Sequence, residues 1–356
     1  MKLKPSILSW SVLAPIIAWI LFFLNTGSVA FSILLALALI IVVLSSVHHA
    51  ELVAHRAGEP YGTLVLAIAI TVIEVSLIVS LMIAGGESAT ALARDTVFAA
   101  VMILLTGIIG LCLLAGGYRY KEQVFGRHGV NAALVTLTAI CVLTLVLPNY
   151  TSSIAGPFYS KSQLIFISIV CLVLYGSFVL VQTVRHRDYF LPTGATEEFH
   201  AKPPSKKETI TSLVFLLISL GAVVLIAKKL SPAIEKLVQE AGAPQSLVGV
   251  IVAMVILLPE GIAAFKAARK NRLQTSINLA LGSALASIGL TIPAVGIVSL
   301  YTGMTITLGI DTKSILLLGL ALFTVTLSFG TGRTTILQGV VLLLLFAVYL
   351  FTTIVP

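Results

Sequence analysis

Charge is what this sequence has least of. Only 10% of its 356 residues are Asp, Glu, Lys or Arg, against roughly 25% in ordinary soluble domains. A water-soluble domain of this length could not cover its surface with so few charges, which leaves the bilayer as the solvent. Long hydrophilic segments are equally scarce. The longest, 185–208, mixes Pro192, Pro203 and Pro204 with charges and cannot build a core, which excludes a soluble nucleotide-binding domain to power a pump. No HExxH, Gly-x-Gly-Asp or Gly-x-Ser-x-Gly pattern occurs, so nothing points to an intramembrane enzyme. The three cysteines, Cys112, Cys141 and Cys171, fall in apolar runs without metal-ligand spacing and read as small core residues.

Apolar residues make up 58% of the chain and are gathered into runs of membrane-spanning length. They lie at about 6–24, 28–47, 62–84, 94–116, 130–148, 163–184, 209–230, 245–268, 274–300, 312–329 and 334–354. The fold class is therefore an all-α integral membrane protein of about eleven transmembrane helices. Ser28-Val29-Ala30 loosely resembles a signal-peptide cleavage site, but the run before it is long for a signal sequence and is read as a helix. With the N-terminus cytoplasmic, only Arg94, Lys161, Lys228, Lys229, Lys236 and Lys313 of the 22 basic residues fall outside. That split obeys the positive-inside rule and, with the odd helix count, places the C-terminus on the opposite, periplasmic side. The net charge of +8 is thus topology, and no nucleic-acid partner is expected.

The chain repeats itself at an offset of 186 residues: Glu74 maps to Glu260, Gly110 to Gly296, Gly117 to Gly303, and Gly107 to Pro293. The expected organisation is a leading helix (1–27), a first five-helix repeat (28–184), a cytoplasmic linker (185–208) and a second five-helix repeat (209–356). An odd number of helices per repeat inverts the second relative to the first, a recurring design of secondary transporters.

Two acids stand apart from the loops. Glu74 lies near the middle of the third apolar run and Glu260 in the eighth, directly after Pro259. A carboxylate at that depth costs several kcal/mol unless it is paired, solvated in a cavity or neutralised. One lone glutamate could be a permanently protonated structural group; two at repeat-related positions point to function. Two carboxylates sharing a cavity would raise at least one pKa, so that a proton and a cation compete for one site. Competition combined with alternating access is antiport. Thr71, one helical turn before Glu74, is an auxiliary ligand candidate, as are Ser283 and Ser287, which continue to Thr291 at every fourth residue with Asn278 lower on the helix. Such hydroxyls equally serve helix packing. The group His48, His49, Glu51 and His55 has metal-like composition without hydrolase spacing. Glu51 and His55 fit a solvated interface or a pH-sensing gate. Asp95 and Asp311 open apolar runs and are expected as helix N-caps, with Arg94 and Asp95 as the alternative guard of an outer mouth.

The stretch AELVAHRAGEPYGTLVLAIAITVIEVSLIVSLMIAGG from Ala50, and LLPEGIAAFKAARKNRLQTSINLALGSALASIGLTIPAVGIVSL around Glu260, resemble the two signature regions of the calcium/cation antiporter superfamily. The likeness is to its cation/proton exchanger branch, and within it to the bacterial Cha-type sodium-potassium/calcium–proton antiporters. The resemblance implies that Glu74 and Glu260 bind the transported cation, that Ca2+, Na+, K+ and H+ are the transported ions, and that no cofactor is needed. Where the family pattern has Gly-Asn before each glutamate, this chain has Ile70-Thr71 and Ile256-Leu257, and Ala286 stands where relatives place Gln. Fewer oxygens around the acids imply modest calcium affinity. Membrane lipid and the transported ions are the expected partners, and assembly as a homo-oligomer stays open. A passive cation channel is the competing reading, and an intramembrane enzyme a distant third.

Overall fold

The structure is a computed structural model that describes residues 9–24, 28–58, 61–191, 204–240, 242 and 244–355. Half of the 185–208 linker, 192–203, lies outside them. Eleven helical segments follow one another: α1 (Trp10–Phe23), α2 (Val29–Ala57), α3 (Tyr61–Gly85), α4 (Leu92–Tyr120), α5 (Arg127–Tyr150), α6 (Lys161–Arg185), α7 (Lys206–Glu240), α8 (Ser246–Ala268), α9 (Leu273–Thr302), α10 (Thr312–Phe329) and α11 (Ile336–Ile354). Among the described residues nine of these are long and apolar enough to cross a membrane, and α1 and the Ile68–Ile83 part of α3 are shorter apolar helices. Each expected apolar run has its helix. The ends differ: α2 continues to Ala57 through its histidines, and α7 runs past Pro232 to Glu240.

The helices form two compact units. The first contains α1, α2, α3 and α7, so α7 leaves its sequence neighbours to pack on α2 and α3. Polar side chains fasten α1 to this unit. Trp19 Nε1 donates to the Ile218 carbonyl at 3.1 Å, and Ser45 Oγ and His49 Nε2 reach the Ser11 carbonyl at 2.6 and 3.0 Å. Pro15 lies inside α1. Lys229 of α7 donates to the Phe22 carbonyl at 2.7 Å, where α1 ends and its carbonyls need donors.

The second unit contains α4–α6 and α8–α11. Small residues let its helices approach. Gly249 of α8 lies against the Asp95–Thr96 backbone of α4, and Gly110 of α4 against Leu342 and Leu343 of α11. On the other flank Gly296 of α9 faces Leu164 and Ser168 of α6. Near the middle of α4, residues Ile103–Ile108 widen into a π-helical turn that places Gly107 beside the Phe346 ring. Similar turns occur in α5 at Val142–Val146, ahead of a final 3-10 turn at Leu147–Tyr150, and at the end of α6 at Val181–Arg185.

One end of this unit is stitched together by its loops. β1 (Glu122–Val124) pairs antiparallel with β2 (Arg333–Thr335), with Gln123 opposite Thr334. Gly126 N donates to Gln274 Oε1 at 2.6 Å, and Asn278 Nδ2 to the Phe190 carbonyl at 2.6 Å. This end carries Arg119, Lys121, Arg127, Arg185, Arg187, Lys266, Arg269, Lys270, Arg272 and Arg333, whereas the opposite end carries Arg94, Lys161 and Lys313. Exposed tyrosines mark both ends, Tyr118 at the basic one and Tyr150 and Tyr301 at the other, as membrane–water interfaces favour.

Candidate functional site

In the first unit the acid is carried by α3. Glu74 is 3% exposed and Thr71, one turn earlier, is also buried. Among the described residues Thr71 Oγ1 has no hydrogen-bond partner. A buried hydroxyl left in that state loses the free energy of its bond to water and is an oxygen available to a ligand.

In the second unit the acid is carried by α8. Glu260 is buried with 9% exposure. Pro259 stands inside the helix beside it and cannot donate to the Val255 carbonyl one turn earlier, which frees a second type of oxygen near the carboxylate. Leu257 is buried at the position one turn before the acid and offers no oxygen. The hydroxyl stripe lies on α9, which packs on α8. Ser287 and Thr291 are buried and Ser283 is half-buried. Thr291 Oγ1, and Thr96 Oγ1 on the neighbouring α4, have no hydrogen-bond partner among the described residues. Asn278 is committed elsewhere: its amide bonds Phe190 and accepts from Gln274 Nε2 at 2.9 Å. Ala286 is buried and apolar.

The histidine group divides between two surroundings. His49 is buried, stacked on Phe215 with ring centroids 5.6 Å apart, while Glu51 and His55 are exposed near the end of α2. Among the described residues no three His, Cys, Asp or Glu side chains gather as a resident metal centre would require.

The expected N-caps fall differently. α4 starts at Leu92, so Asp95 sits within its first turn, bound to Arg94 at 2.8 Å. Asp311 does occupy the N-cap position of α10, but without a side-chain capping bond. With Tyr349 and Thr353 these residues line a small cavity of about 230 Å³ at the less basic end. The adjacent Arg94-Asp95 pair at the opening of an apolar run was the sequence signal for it. The π turn of α4 had no such signal, because hydropathy does not register an extra residue per turn.

Comparison with known proteins places this architecture. The model of the sodium/calcium exchanger protein family matches residues 11–184 and 211–355. The chain belongs to that family. It is therefore a multi-pass membrane transporter and not an enzyme. It is 34% identical over 352 residues, 96% of this chain and 95% of its relative, to the sodium-potassium/proton antiporter ChaA of Escherichia coli. It is 48% identical over 318 residues, 88% of this chain and 86% of the relative, to y4hA of Sinorhizobium fredii. The fold is similar to that of native YfkE, with a TM-score of 0.75 at 18% identity, covering 98% of this chain and 99% of that one.

Proposed function

We propose that this exchanger is a secondary cation/proton antiporter of a bacterial inner membrane, moving Na+, K+ or Ca2+ against protons by alternating access. One observation carries the reading. Glu74 on α3 and Glu260 on α8, at matching positions of the two halves, are both buried carboxylates on apolar helices. Each must be neutralised at that depth, by a proton or by a cation. The two neutralisers exclude one another, and that exclusion couples their fluxes. Glu74 and Glu260 act as one exchange site, with Thr71, Ser283 and Ser287 as auxiliary oxygens. Glu51 and His55, exposed near the end of α2, belong to the entrance as a gate.

The halves 28–184 and 209–356 are inverted repeats. Packing inside the second unit supports this: α4 rests on α11 at Gly110 as α9 rests on α6 at Gly296, and in the repeat α11 is the counterpart of α6. The basic end of that unit is cytoplasmic by the positive-inside rule, which puts the N-terminus and the 185–208 linker inside and the C-terminus in the periplasm. The Escherichia coli relative, a sodium-potassium/proton antiporter, supports sodium and potassium, and the sodium/calcium exchanger family supports sodium and calcium. With Leu257 and Ala286 in place of amide oxygens the site is permissive, and its calcium affinity is modest.

Proteoliposomes with an imposed pH gradient test the proposal. Each of sodium, potassium and calcium should release protons in an electroneutral-buffered assay, and a cation gradient should in turn drive protons uphill. Cation flux that moves no protons would make the protein a channel. Strong calcium exchange with no response to sodium or potassium would remove the permissive site.

A further inference from the structure

The second unit holds a groove of about 710 Å³ among α4, α8 and α11. Its floor is Gly107 on the π turn of α4 together with Leu257 and Gly261 of α8, and Met254, Ile262 and Phe346 are among its apolar walls. Met254 and Ile262 are exposed, about 40% each, so the groove is open along its side. Glycine shapes its floor: Gly107 and Gly261 add no side chain of their own, and the Phe346 ring and Ile108 lie against them, 3.4 and 3.1 Å from where a Cβ would stand.

The groove is apolar along its length and strongly basic at one end. Arg119, Lys266, Arg269 and Lys270 line it there. Among the described residues no carboxylate pairs with any of the four, and Arg269 rests over the Phe265 ring at 5.9 Å. From Arg119 back to Ile103 the α4 side runs sixteen residues, about 24 Å at the helical rise. That exceeds the acyl depth of one leaflet of a hydrocarbon core about 30 Å thick. An open apolar slot of this length, capped by clustered uncompensated cations at the level of the headgroups, matches a molecule with a long hydrocarbon tail and an anionic head.

We infer that this groove is a binding site for an anionic diacyl phospholipid, with the phosphate held by Arg119, Lys266, Arg269 and Lys270 and an acyl chain lying between α4, α8 and α11. The chain touches Leu257 and Gly261, the turn of α8 that bears Glu260. The lipid is thereby in direct contact with the helix that carries the second acid.

The test is lipid binding by the full-length protein, delipidated in a zwitterionic detergent and titrated with phosphatidylglycerol and with phosphatidylcholine under native mass spectrometry. The wild-type protein should bind phosphatidylglycerol at least about tenfold more tightly, with one preferred site. Replacing Arg119, Lys266, Arg269 and Lys270 together by Gln should remove that preference. Replacing Lys121, Arg127 and Arg185 by Gln, at the same end but outside the groove, should leave it intact. Equal losses in the two variants would reduce the effect to diffuse surface charge and overturn the site. Equal affinity for a short-chain and a long-chain phosphatidylglycerol would overturn the acyl part, as would saturation by inorganic phosphate alone. A Gly261→Leu variant fills the groove without touching charge and should weaken long-chain lipid about tenfold. Unchanged binding there, with the unfolding temperature of the protein preserved, would also overturn it.

Discussion

Gln123 of β1 and Asn271 of the α8–α9 turn lie 148 residues apart in the chain and meet at 2.9 Å, Gln123 Nε2 donating to Asn271 Oδ1. The same nitrogen donates at 3.2 Å to the Ala268 carbonyl at the end of α8, which also accepts from Asn271 N at 3.1 Å. Asn271 has a φ of +59°, a conformation that asparagine tolerates better than most residues. A single buried amide thus joins the end of α8 to the strand that follows α4. Gln123→Leu keeps the volume and removes both bonds; Asn271 is exposed and the Ala268 carbonyl still accepts from Asn271 N, so the cost is that of the two bonds themselves, about 1–2 kcal/mol. The unfolding temperature in detergent should fall clearly, and an unchanged value would mean that this link contributes nothing.

Glu74→Gln and Glu260→Gln should each abolish cation-dependent proton movement while leaving folded protein in the membrane. An amide imitates the protonated acid but can neither release a proton nor attract a cation by charge. Fluorescence-detected size exclusion checks folding, and a pH-sensitive dye in proteoliposomes checks exchange. Normal exchange by either variant would remove that residue from the site.

Because proton and cation compete, the apparent KM for sodium should fall as pH rises from about 7 to about 8.5. Protonated carboxylates are occupied sites, so acid raises the cation concentration needed, and alkali frees them. The maximal rate should change less than KM across this range. A KM independent of pH would mean that the two ions do not share ligands.

Restoring an oxygen one turn before Glu260 should shift selectivity. Leu257→Asn places an amide where this chain has an apolar side chain, and calcium gains more than sodium from an added oxygen ligand. The ratio of calcium to sodium exchange, measured on the same vesicles, should rise several-fold. No change would show that the Leu257 position does not face the ion.

The close approach of α8 to α4 makes its own forecast. A Cβ at Gly249 would stand 2.8 Å from the Asp95 carbonyl carbon, so Gly249→Ala must push backbone apart and should cost about 1–3 kcal/mol. Gly319 on α10 meets nothing within 4 Å, and alanine there should be neutral or stabilising by up to about 1 kcal/mol. Thermal unfolding of the two variants side by side decides between packing and mere helix propensity.

The helices were legible because hydrocarbon thickness imposes one length on every crossing, and that constraint is written in composition. Where polar residues prolong a helix beyond the apolar run, as with His48 to His55 in α2 or Lys236 in α7, hydropathy stopped short. The β1–β2 pair was invisible, since strands of three residues each, paired across the chain, are too short to show a period. Glu74 and Glu260 stood out as acids inside apolar runs, and the proline beside Glu260 with them. Their surroundings did not. Only coordinates could show that Thr71 and Thr291 are buried without a partner while Asn278 is tied to Phe190. The grouping of α7 with α1–α3 was equally hidden, because it depends on which faces meet rather than on which segments follow one another.

The β1–β2 pair also sets a clock. Glu122 and Arg333, whose side chains meet diagonally across it at 3.5 Å, are separated by 211 residues. At synthesis rates of about 5–20 residues per second, the first strand leaves the ribosome on the order of 10–40 seconds before its partner exists. α4 is made before that interval begins and α5 early within it, yet the seam that closes the basic end of their unit cannot form. The last hairpin to emerge, α10–α11, is therefore the clasp of the assembly, and a chain truncated before Arg333 would be released with that end unfastened.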